Sequence, residues 1–230
     1  MALTIFDLDH TLLSGDSDVL WCEFLVTRGL LDVSFRERSA AVAIGYAAGT
    51  IAPRDYCDFY AGTLAGRTAA ELEPLREQFL LTQVRPRISD DARALLDKHR
   101  AAGDTLVLTT ATNRVVSERT AQELGVDHYL CTELEFDGQR YSGRTIGTLN
   151  MRMGKLERLR HWLAEQGLPE QTLKRASFYS DSINDLVLLS VVGRPVVVDP
   201  DPRLESAARR NGWMVMRFNR AARADPVATR

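Results

Sequence analysis

The sequence has few cysteines and no pattern among them that would hold a metal ion or a disulfide framework. Three cysteines occur in 230 residues, and Cys22, Cys57 and Cys131 lie far apart along the chain. No C-x-x-C pair is present, so the spacing suggests neither a cysteine-based zinc site nor a disulfide scaffold. An odd and scattered set of thiols fits a reducing compartment, and we therefore expect a cytoplasmic protein.

The sequence also lacks an excess of charge of either sign. Its 29 basic and 31 acidic residues give a formal net charge of −2, which favours neither nucleic acid nor an anionic membrane surface as a partner. No stretch approaches the roughly 18 apolar residues of a membrane span. The first residues have no basic region and only a strand-length apolar run, so no secretory signal is expected.

Short apolar stretches typical of buried strands alternate with helical patterns along most of the chain. The strand-like stretches are 3–7, 104–109, 176–180, 195–198 and 213–218, and the helical patterns between them are 90–102, 114–124 and 155–166. Such alternation indicates βαβ units, and we predict an α/β fold with a Rossmann-like parallel sheet core. Apolar residues that alternate around Asp137 and Gly138 predict a hairpin.

Residues 16–85 interrupt this alternation with several helical patterns and no convincing strand. Pro53 suits the first turn of a helix, and Thr68-x-x-Glu71 is a capping box. Pro74 either kinks the helix that follows or marks its true start. The predicted division of the chain is a helical cap domain at 16–85, a catalytic core at 1–15 and 86–218, and a frayed tail at 219–230. An insertion after the first strand would lie over the carboxyl ends of the strands, where open parallel sheets bind ligands.

Polar and charged side chains stand at the end of one predicted strand after another. Two carboxylates, Asp7 and Asp9, follow the first strand in "FDLDHT", although like charges repel there and lose hydration. A metal ion or a reacting group would offset that cost. The further candidates are Thr109, Thr110, Lys155, Asp181, Asn184 and Asp185. Carboxylates suit Mg²⁺, whereas hydroxyl and ammonium groups suit phosphate oxygens.

The order of these groups resembles the four motifs of the haloacid dehalogenase superfamily of phosphatases. The pattern is D-x-D-x-T after a strand, a strand that ends in threonine, a lysine, and then D-x-x-x-D. The helical insertion looks like the small cap of the phosphoserine phosphatase branch, subfamily IB, and "DSINDLVLL" is similar to the D-S-x-N-D motif of that branch. Each motif alone is weak, but the four in order extend over nearly the whole chain.

The resemblance implies a Mg²⁺-dependent phosphatase of a small-molecule phosphate ester. Asp7 would be the nucleophile that forms an aspartyl phosphate, and Asp9 would be the general acid and then the general base. Mg²⁺ would be held by Asp7, the main-chain carbonyl of Asp9, and Asp181. Thr110 and Lys155 would bind the phosphoryl oxygens.

Three further assignments follow from the same resemblance. Asp185 would orient the waters of the metal ion or Lys155, and Asn184 would reach the phosphate or the substrate. Thr109 remains an alternative to Thr110 as the phosphate ligand.

The resemblance leaves the substrate open between two amine-bearing esters. Asp16 stands where related enzymes hold the substrate amine, and the competing interpretation is that it caps the next helix. Tyr60 or a neighbour falls where those enzymes place an arginine for the substrate carboxylate, and Arg54 and Arg67 are offset from that position. Histidinol phosphate, which has an amine and no carboxylate, therefore fits somewhat better than phosphoserine.

Two hypotheses from other functional classes compete with the enzyme hypothesis. A receiver-like signalling protein also uses an acidic pair, a phospho-accepting aspartate, a threonine and a lysine around Mg²⁺. Such a domain is about half this length, and its phospho-accepting aspartate lies on a later strand than its acidic pair. A non-catalytic phosphate-binding relative would normally have lost Asp7 or Asp9, and both are present.

Overall fold

The computed structural model describes residues 2–220, and within that range the strands form one sheet. The strands are β1 (Leu3–Phe6), β2 (Thr105–Asn113), β3 (His128–Phe136), β4 (Tyr141–Ile146), β5 (Ser177–Ser180), β6 (Arg194–Val198) and β7 (Met214–Met216). They lie in the order β4-β3-β2-β1-β5-β6-β7, and every neighbouring pair is parallel except β3 with β4. The predicted α/β fold with a mainly parallel sheet is confirmed.

Strand β1 lies at the centre of the sheet, and its side chains are buried on both faces. Ile5 and Phe6 are both 0% exposed, and they point to opposite faces into two separate hydrophobic clusters. Phe6 pairs with Leu108 of β2 on one side and with Tyr179 of β5 on the other. The next residue is Asp7, so the first carboxylate of the sequence motif emerges at the carboxyl end of β1, between β2 and β5.

Helices cover both faces of the sheet. They are α1 (Ser17–Thr27), α2 (Phe35–Ala47), α3 (Pro53–Ala61), α4 (Ala69–Phe79), α5 (Asp90–Ala101), α6 (Arg114–Leu124), α7 (Met153–Glu165), α8 (Leu186–Val191) and α9 (Pro202–Asn211). Buried side chains of α5 and α6 join the hydrophobic cluster on one face, and those of α7, α8 and α9 join the cluster on the other. The sheet is thus a central layer between two helical layers.

Helices α1 to α4 follow one another between β1 and α5 in the segment 16–85, which we call the helical module. The capping box is formed as predicted, because the Thr68 hydroxyl accepts from the Glu71 amide and the Glu71 carboxylate accepts from the Thr68 amide. Pro74 lies inside α4 and does not mark its start. The division into core and cap domains stays a prediction.

Two strands differ from the sequence prediction. β2 continues to Asn113 rather than ending at residue 109, because its last residue still pairs with Thr132 beyond an irregularity in the ladder. β3 begins at His128 and pairs in parallel with β2 before it forms the predicted hairpin with β4. The first half of β3 was missed because its polar and aromatic residues do not form an apolar run.

The predicted tail at 219–230 falls largely outside the described residues. Asn219 and Arg220 are described, and the Asn219 amide donates to the Asp91 carboxylate at 2.6 Å. Residues 221–230 lie outside the described residues. Among the described helices, none has the length and apolar character needed to cross a membrane.

A tight backbone contact before β6 gives a test of the fold. A Cβ atom built on Gly193 would lie 1.9 Å from the Lys174 carbonyl oxygen, which is main chain and cannot rotate away. We expect Gly193→Ala to lower the free energy of unfolding by about 3 kcal/mol, measured by urea denaturation. Gly62→Ala is the matched control because a Cβ there meets nothing within 4 Å. Equal stability of the two variants would contradict this packing.

Candidate active site

A cavity of about 140 Å³ opens at the carboxyl ends of β1, β2 and β5, below the helical module. Seven of the eight predicted site residues line it, namely Asp7, Asp9, Asp16, Lys155, Asp181, Asn184 and Asp185. The eighth, Thr110, lies directly behind Asp9. A larger cleft of about 470 Å³ beside α7 has none of these residues in its wall, so the chemistry points to the smaller cavity.

Lys155 holds two of the carboxylates together at the floor of the cavity. Its Nζ donates to Asp7 Oδ1 at 2.8 Å and to Asp185 Oδ2 at 2.8 Å, and its side chain is 4% exposed. Burial lowers the pKa of Lys155, but the charges of Asp185 and Asp7 raise it more, so its pKa lies above the ordinary lysine value. Lys155 is therefore a fixed cation, and Asp185 is further held by the Ser180 hydroxyl at 2.7 Å.

The start of α7 explains how a lysine reaches this position. The backbone of Arg152, just before the helix, has a φ of 51°, a conformation that residues other than glycine rarely adopt. A Cβ on Gly154 would lie 2.1 Å from the Leu149 carbonyl oxygen, so only glycine lets the first turn pack against the preceding loop. The turn then directs Lys155 inward toward β1.

Thr11 joins the carboxylates of the first and last motifs. Its Oγ1 lies 3.0 Å from Asp181 Oδ1 and 3.4 Å from Asp7 Oδ2, and it accepts from the Asp181 amide at 3.0 Å. We assigned no role to Thr11 from the sequence. Its place as the last residue of D-x-D-x-T was the signal that could have identified it.

The Asp7 and Asp181 carboxylates are costly to keep ionised in this place. Burial is the main reason that the pKa of Asp7 rises to about 7, and the attraction of Lys155 opposes this rise. Burial and the nearby charge of Asp7 raise the pKa of Asp181 well above its ordinary range. Because two acidic groups share one partly buried site, a divalent cation held by both would lower the cost of ionising them.

The donor set fits a hard cation bound by oxygen. Within residues 2–220, no three acidic, histidine or cysteine side chains form a ready metal cluster. Two carboxylates, Asp7 and Asp181, therefore need a further oxygen, and the main-chain carbonyl of Asp9 is the candidate that the motif supplies. Few protein ligands and several waters are typical of Mg²⁺ sites.

Asp9 is held by three donors. Its Oδ1 accepts from the Ser17 amide at 2.7 Å, and its Oδ2 accepts from the Thr112 hydroxyl at 2.8 Å and the Thr110 hydroxyl at 3.2 Å. The carboxylate therefore connects the end of β2 to the start of α1. Thr112, which also lines the cavity, was not singled out from the sequence.

The two adjacent threonines of β2 have different surroundings. The Thr109 hydroxyl accepts from Asn150 Nδ2 at 2.9 Å in the interior, whereas the Thr110 hydroxyl donates to Asp9. Asn150 Nδ2 also donates to the carbonyls of Thr110 and Leu130. The structure thus brings Thr110 rather than Thr109 to the site, and Asn150 fixes the end of the strand.

Both interpretations of Asp16 have a structural basis. Its Oδ1 accepts from the Val19 amide at 3.0 Å and caps α1, and the residue also lines the cavity. Burial, with the charge of Asp9, raises the pKa of Asp16 to about 6. Asp18 is a further buried acid in the wall, 8% exposed, whose carboxylate accepts from Asn113 Nδ2 at 3.4 Å. We did not predict Asp18.

The helical module contributes aromatic residues to the wall. The rings of Tyr46 and Tyr56 lie 4.5 Å apart between centroids, and both residues line the cavity together with Arg152. The Arg152 guanidinium lies over the Tyr46 ring at 4.7 Å, and its Nε donates to Asn184 Oδ1 at 3.3 Å. Tyr60, one of the candidates for the position where related enzymes place an arginine, is buried against Ser39, and Tyr56 of the same helix lines the cavity.

Comparison with known proteins supports a phosphatase. The family model described as haloacid dehalogenase-like hydrolase matches residues 4–190. The chain is 37% identical to a protein from Neisseria meningitidis named histidinol-phosphatase, over 94% of this chain and 98% of that protein. It is 32% identical to phosphoserine phosphatase SerB1 of Mycobacterium tuberculosis, over 97% of this chain and 73% of that protein.

Solved structures give the same picture of the fold. A protein with unknown function from Bordetella pertussis Tohama I superposes with a TM-score of 0.89 at 38% identity, covering 94% of this chain and 97% of that one. A substrate-bound phosphoserine phosphatase superposes with a TM-score of 0.69 at 13% identity, covering 94% and 92%. The second likeness shows the fold alone.

The buried charge of Asp7 gives a prediction for stability. We expect Asp7→Asn to stabilise the metal-free protein, since the amide keeps the shape of the side chain and removes the charge. The pKa of Asp7 rises from its ordinary 3.8 to about 7, so ionisation penalises the folded state increasingly from about pH 4 to pH 7, and fully above that. The free energy of unfolding of Asp7→Asn should exceed that of the parent chain by on the order of 2 kcal/mol near pH 8, and by less near pH 5.

Urea denaturation in EDTA at both pH values measures this gain. Asp97→Asn is the control for the loss of one carboxylate, because Asp97 is exposed on α5. A loss of stability in Asp7→Asn, or a gain that does not depend on pH, would show that Asp7 carries no such penalty.

Proposed function

The chain belongs to the haloacid dehalogenase-like hydrolases and is a phosphatase, and from this premise we propose that it is a Mg²⁺-dependent phosphomonoesterase that acts through an aspartyl phosphate on Asp7. We propose histidinol phosphate as its substrate. The observation that carries the mechanism is the Lys155 ammonium, shared between Asp7 and Asp185 in the wall of a small cavity. The family match favours a hydrolase over a receiver-like signalling protein.

Asp7 and Asp9 would divide the reaction between them. An Asp7 oxygen forms a bond to phosphorus while the ester P–O bond breaks, and Asp9 gives a proton to the departing alkoxide. Water then attacks phosphorus, Asp9 takes its proton, and the P–O bond to Asp7 breaks to release inorganic phosphate. The hydrogen bonds from the Ser17 amide and the Thr112 hydroxyl fix the Asp9 carboxylate at the carboxyl edge of the sheet, where Asp7 also lies.

Lys155, Thr110 and Asp185 would prepare the phosphoryl position. Lys155 compensates the charge of the phosphoryl oxygens during transfer, and Asp185 keeps its ammonium in place. The Thr110 hydroxyl donates to Asp9 and accepts from the Thr112 amide, so it would reach a phosphoryl oxygen only by leaving Asp9. Mg²⁺ on Asp7, Asp181 and the Asp9 carbonyl would neutralise the charge between the nucleophile and the phosphate dianion.

The outer wall supports an amine-bearing substrate with an aromatic ring. Asp16 offers negative charge for an ammonium group, and beside it lies the Asp18 carboxyl, whose pKa is raised well above its ordinary range by burial. The rings of Tyr46 and Tyr56 offer a flat surface for stacking and for cation–π contact. Arg54, a candidate for a substrate carboxylate, is already used, since it donates to the carbonyls of Thr145 and Gly147. An imidazole-bearing amino alcohol phosphate therefore fits better than phosphoserine, in agreement with the name of the Neisseria relative.

The setting that we propose is a reducing cytoplasm. Cys22, Cys57 and Cys131 are all free and buried, and burial raises the pKa of each thiol. Thiols of this kind are unreactive packing groups rather than disulfide partners.

Phosphate release from a panel of phosphate esters tests the function. We expect turnover of histidinol phosphate above that of phosphoserine and p-nitrophenyl phosphate, dependent on Mg²⁺ and abolished by EDTA. Asp7→Asn should lose roughly 10³-fold or more in kcat, although the variant should be at least as stable as the parent chain. Substantial turnover by Asp7→Asn would disprove the covalent mechanism, and a clear preference for phosphoserine would disprove the proposed substrate.

Asp16 gives a test of the amine contact. Asn caps a helix as well as Asp does, so Asp16→Asn removes the charge and keeps the cap of α1. We expect the loss of one charged contact, about 1.5–3 kcal/mol, to lower kcat/KM for histidinol phosphate by roughly ten- to a hundredfold. With p-nitrophenyl phosphate, which has no amine, kcat/KM should be nearly unchanged. A loss of equal size on both esters would place the amine contact elsewhere in the cavity.

A further inference from the structure

Arg220, at the far end of the described chain, is bound to the loop that follows the nucleophile strand. Its guanidinium donates to the carbonyls of His10 at 2.6 Å, Thr11 at 2.7 Å and Leu13 at 3.2 Å. It also donates to the Ser14 hydroxyl at 3.0 Å. A single side chain thus binds nearly the whole length of this loop.

The geometry of the loop explains why it needs such a partner. The amides of Thr11, Leu12 and Leu13 all donate to the Leu8 carbonyl, which makes a single helical turn that goes no further. Carbonyls at the end of such a turn carry partial negative charge and need donors from outside. His10 also has a φ of 55°, so the loop is held in a conformation that its own sequence does not favour.

Arg220 is itself fixed from the sheet. Its Nε donates to Asp199 Oδ2 at 2.7 Å, and the two side chains are 21% and 24% exposed. Asp199 follows β6, and its amide donates to the Met216 carbonyl of β7. A guanidinium has five donors in a rigid planar fork, and here it connects Asp199, just after β6, to the loop after β1.

The contact reaches the reacting groups through Thr11. The Thr11 carbonyl accepts from Arg220, while its hydroxyl lies within hydrogen-bond distance of Asp181 and Asp7. His10, whose carbonyl also accepts from Arg220, lines the cavity. A shift of this loop would therefore move the Thr11 hydroxyl relative to the two carboxylates.

We propose that Arg220 is a positioning residue for phosphoryl transfer. It fixes the loop at residues 10–14 so that the Thr11 hydroxyl keeps the Asp7 and Asp181 carboxylates in place relative to each other. The catalytic part of this inference rests on the proposed function, whereas the ordering of the loop does not. Without the guanidinium, the turn has carbonyls exposed to water and a strained His10, and it relaxes away from the cavity.

Arg220→Met and Arg217→Met form a matched pair. Both remove one positive charge from the same segment, but Arg217 is 53% exposed and its guanidinium binds Glu205 at 2.9 Å, away from the loop. With p-nitrophenyl phosphate and Mg²⁺, we expect Arg220→Met to lower kcat by roughly ten- to a hundredfold, with KM nearly unchanged. Arg217→Met should resemble the parent chain.

Two further measurements separate positioning from a general loss of stability. Amide hydrogen exchange at residues 10–15 should be faster in Arg220→Met than in Arg217→Met, with exchange in β1 and β5 unchanged. Millimolar guanidinium ion should restore part of the kcat of Arg220→Ala, whereas methylammonium at the same concentration should not, since it lacks the planar fork.

The outcomes distinguish this inference from the proposed function. Equal exchange at residues 10–15 in the two methionine variants would overturn the inference whether or not the protein hydrolyses phosphate esters. Faster exchange with an unchanged kcat would also overturn it, because the loop would then be ordered without effect on the reaction. If the parent chain hydrolysed no ester at all, the proposed function would fail, and the exchange result alone would decide whether Arg220 orders the loop.

Discussion

The arrangement of the cavity depends on one buried ammonium group. Lys155 lies between Asp7 and Asp185 at hydrogen-bond distance from both, and it is the charge that lets two carboxylates remain together away from water. Removing the ammonium group would leave Asp7 and Asp185 as two unpaired buried carboxylates, which costs far more than a surface ion pair contributes, whereas without the charge of Asp7 the ammonium is still paired with Asp185. The Gly154 contact and the strained Arg152 backbone are understandable on this basis, because they deliver the lysine to that position.

Much of this architecture could be predicted from the sequence because it follows from local rules. The alternation of apolar strands and amphipathic helices fixes the class of fold, and a parallel sheet brings the carboxyl ends of its strands to one edge. Asp7, Lys155 and Asp181 could therefore be grouped although they lie far apart along the chain. Glycine and capping residues also predicted where several helices begin or end to within two residues, as with Ser89 before α5 and Gly125 after α6.

The rest depended on contacts between elements that no local pattern encodes. Tyr46 and Asp18 face the cavity only because the helical module folds over the sheet edge, and helical periodicity alone does not tell which face will do so. The choice between Tyr60 and its neighbours stayed open for the same reason. Arg220 could not be connected to Thr11 at all, because its guanidinium binds main-chain carbonyls, which every sequence has and which leave no signature.

The position of β1 between β2 and β5 also has a consequence for biosynthesis. Both neighbours of this strand are encoded far downstream, and β5 follows only after the helical module and most of the helices have been made. At roughly 5–20 residues per second, a ribosome would need about 10–30 s to synthesise the intervening chain. Until β2 is synthesised, β1 is an apolar segment with no partner on either edge, and its second edge stays unpaired until β5 follows. The nascent polypeptide therefore has a long period in which a chaperone that shields this segment would raise the yield of folded protein.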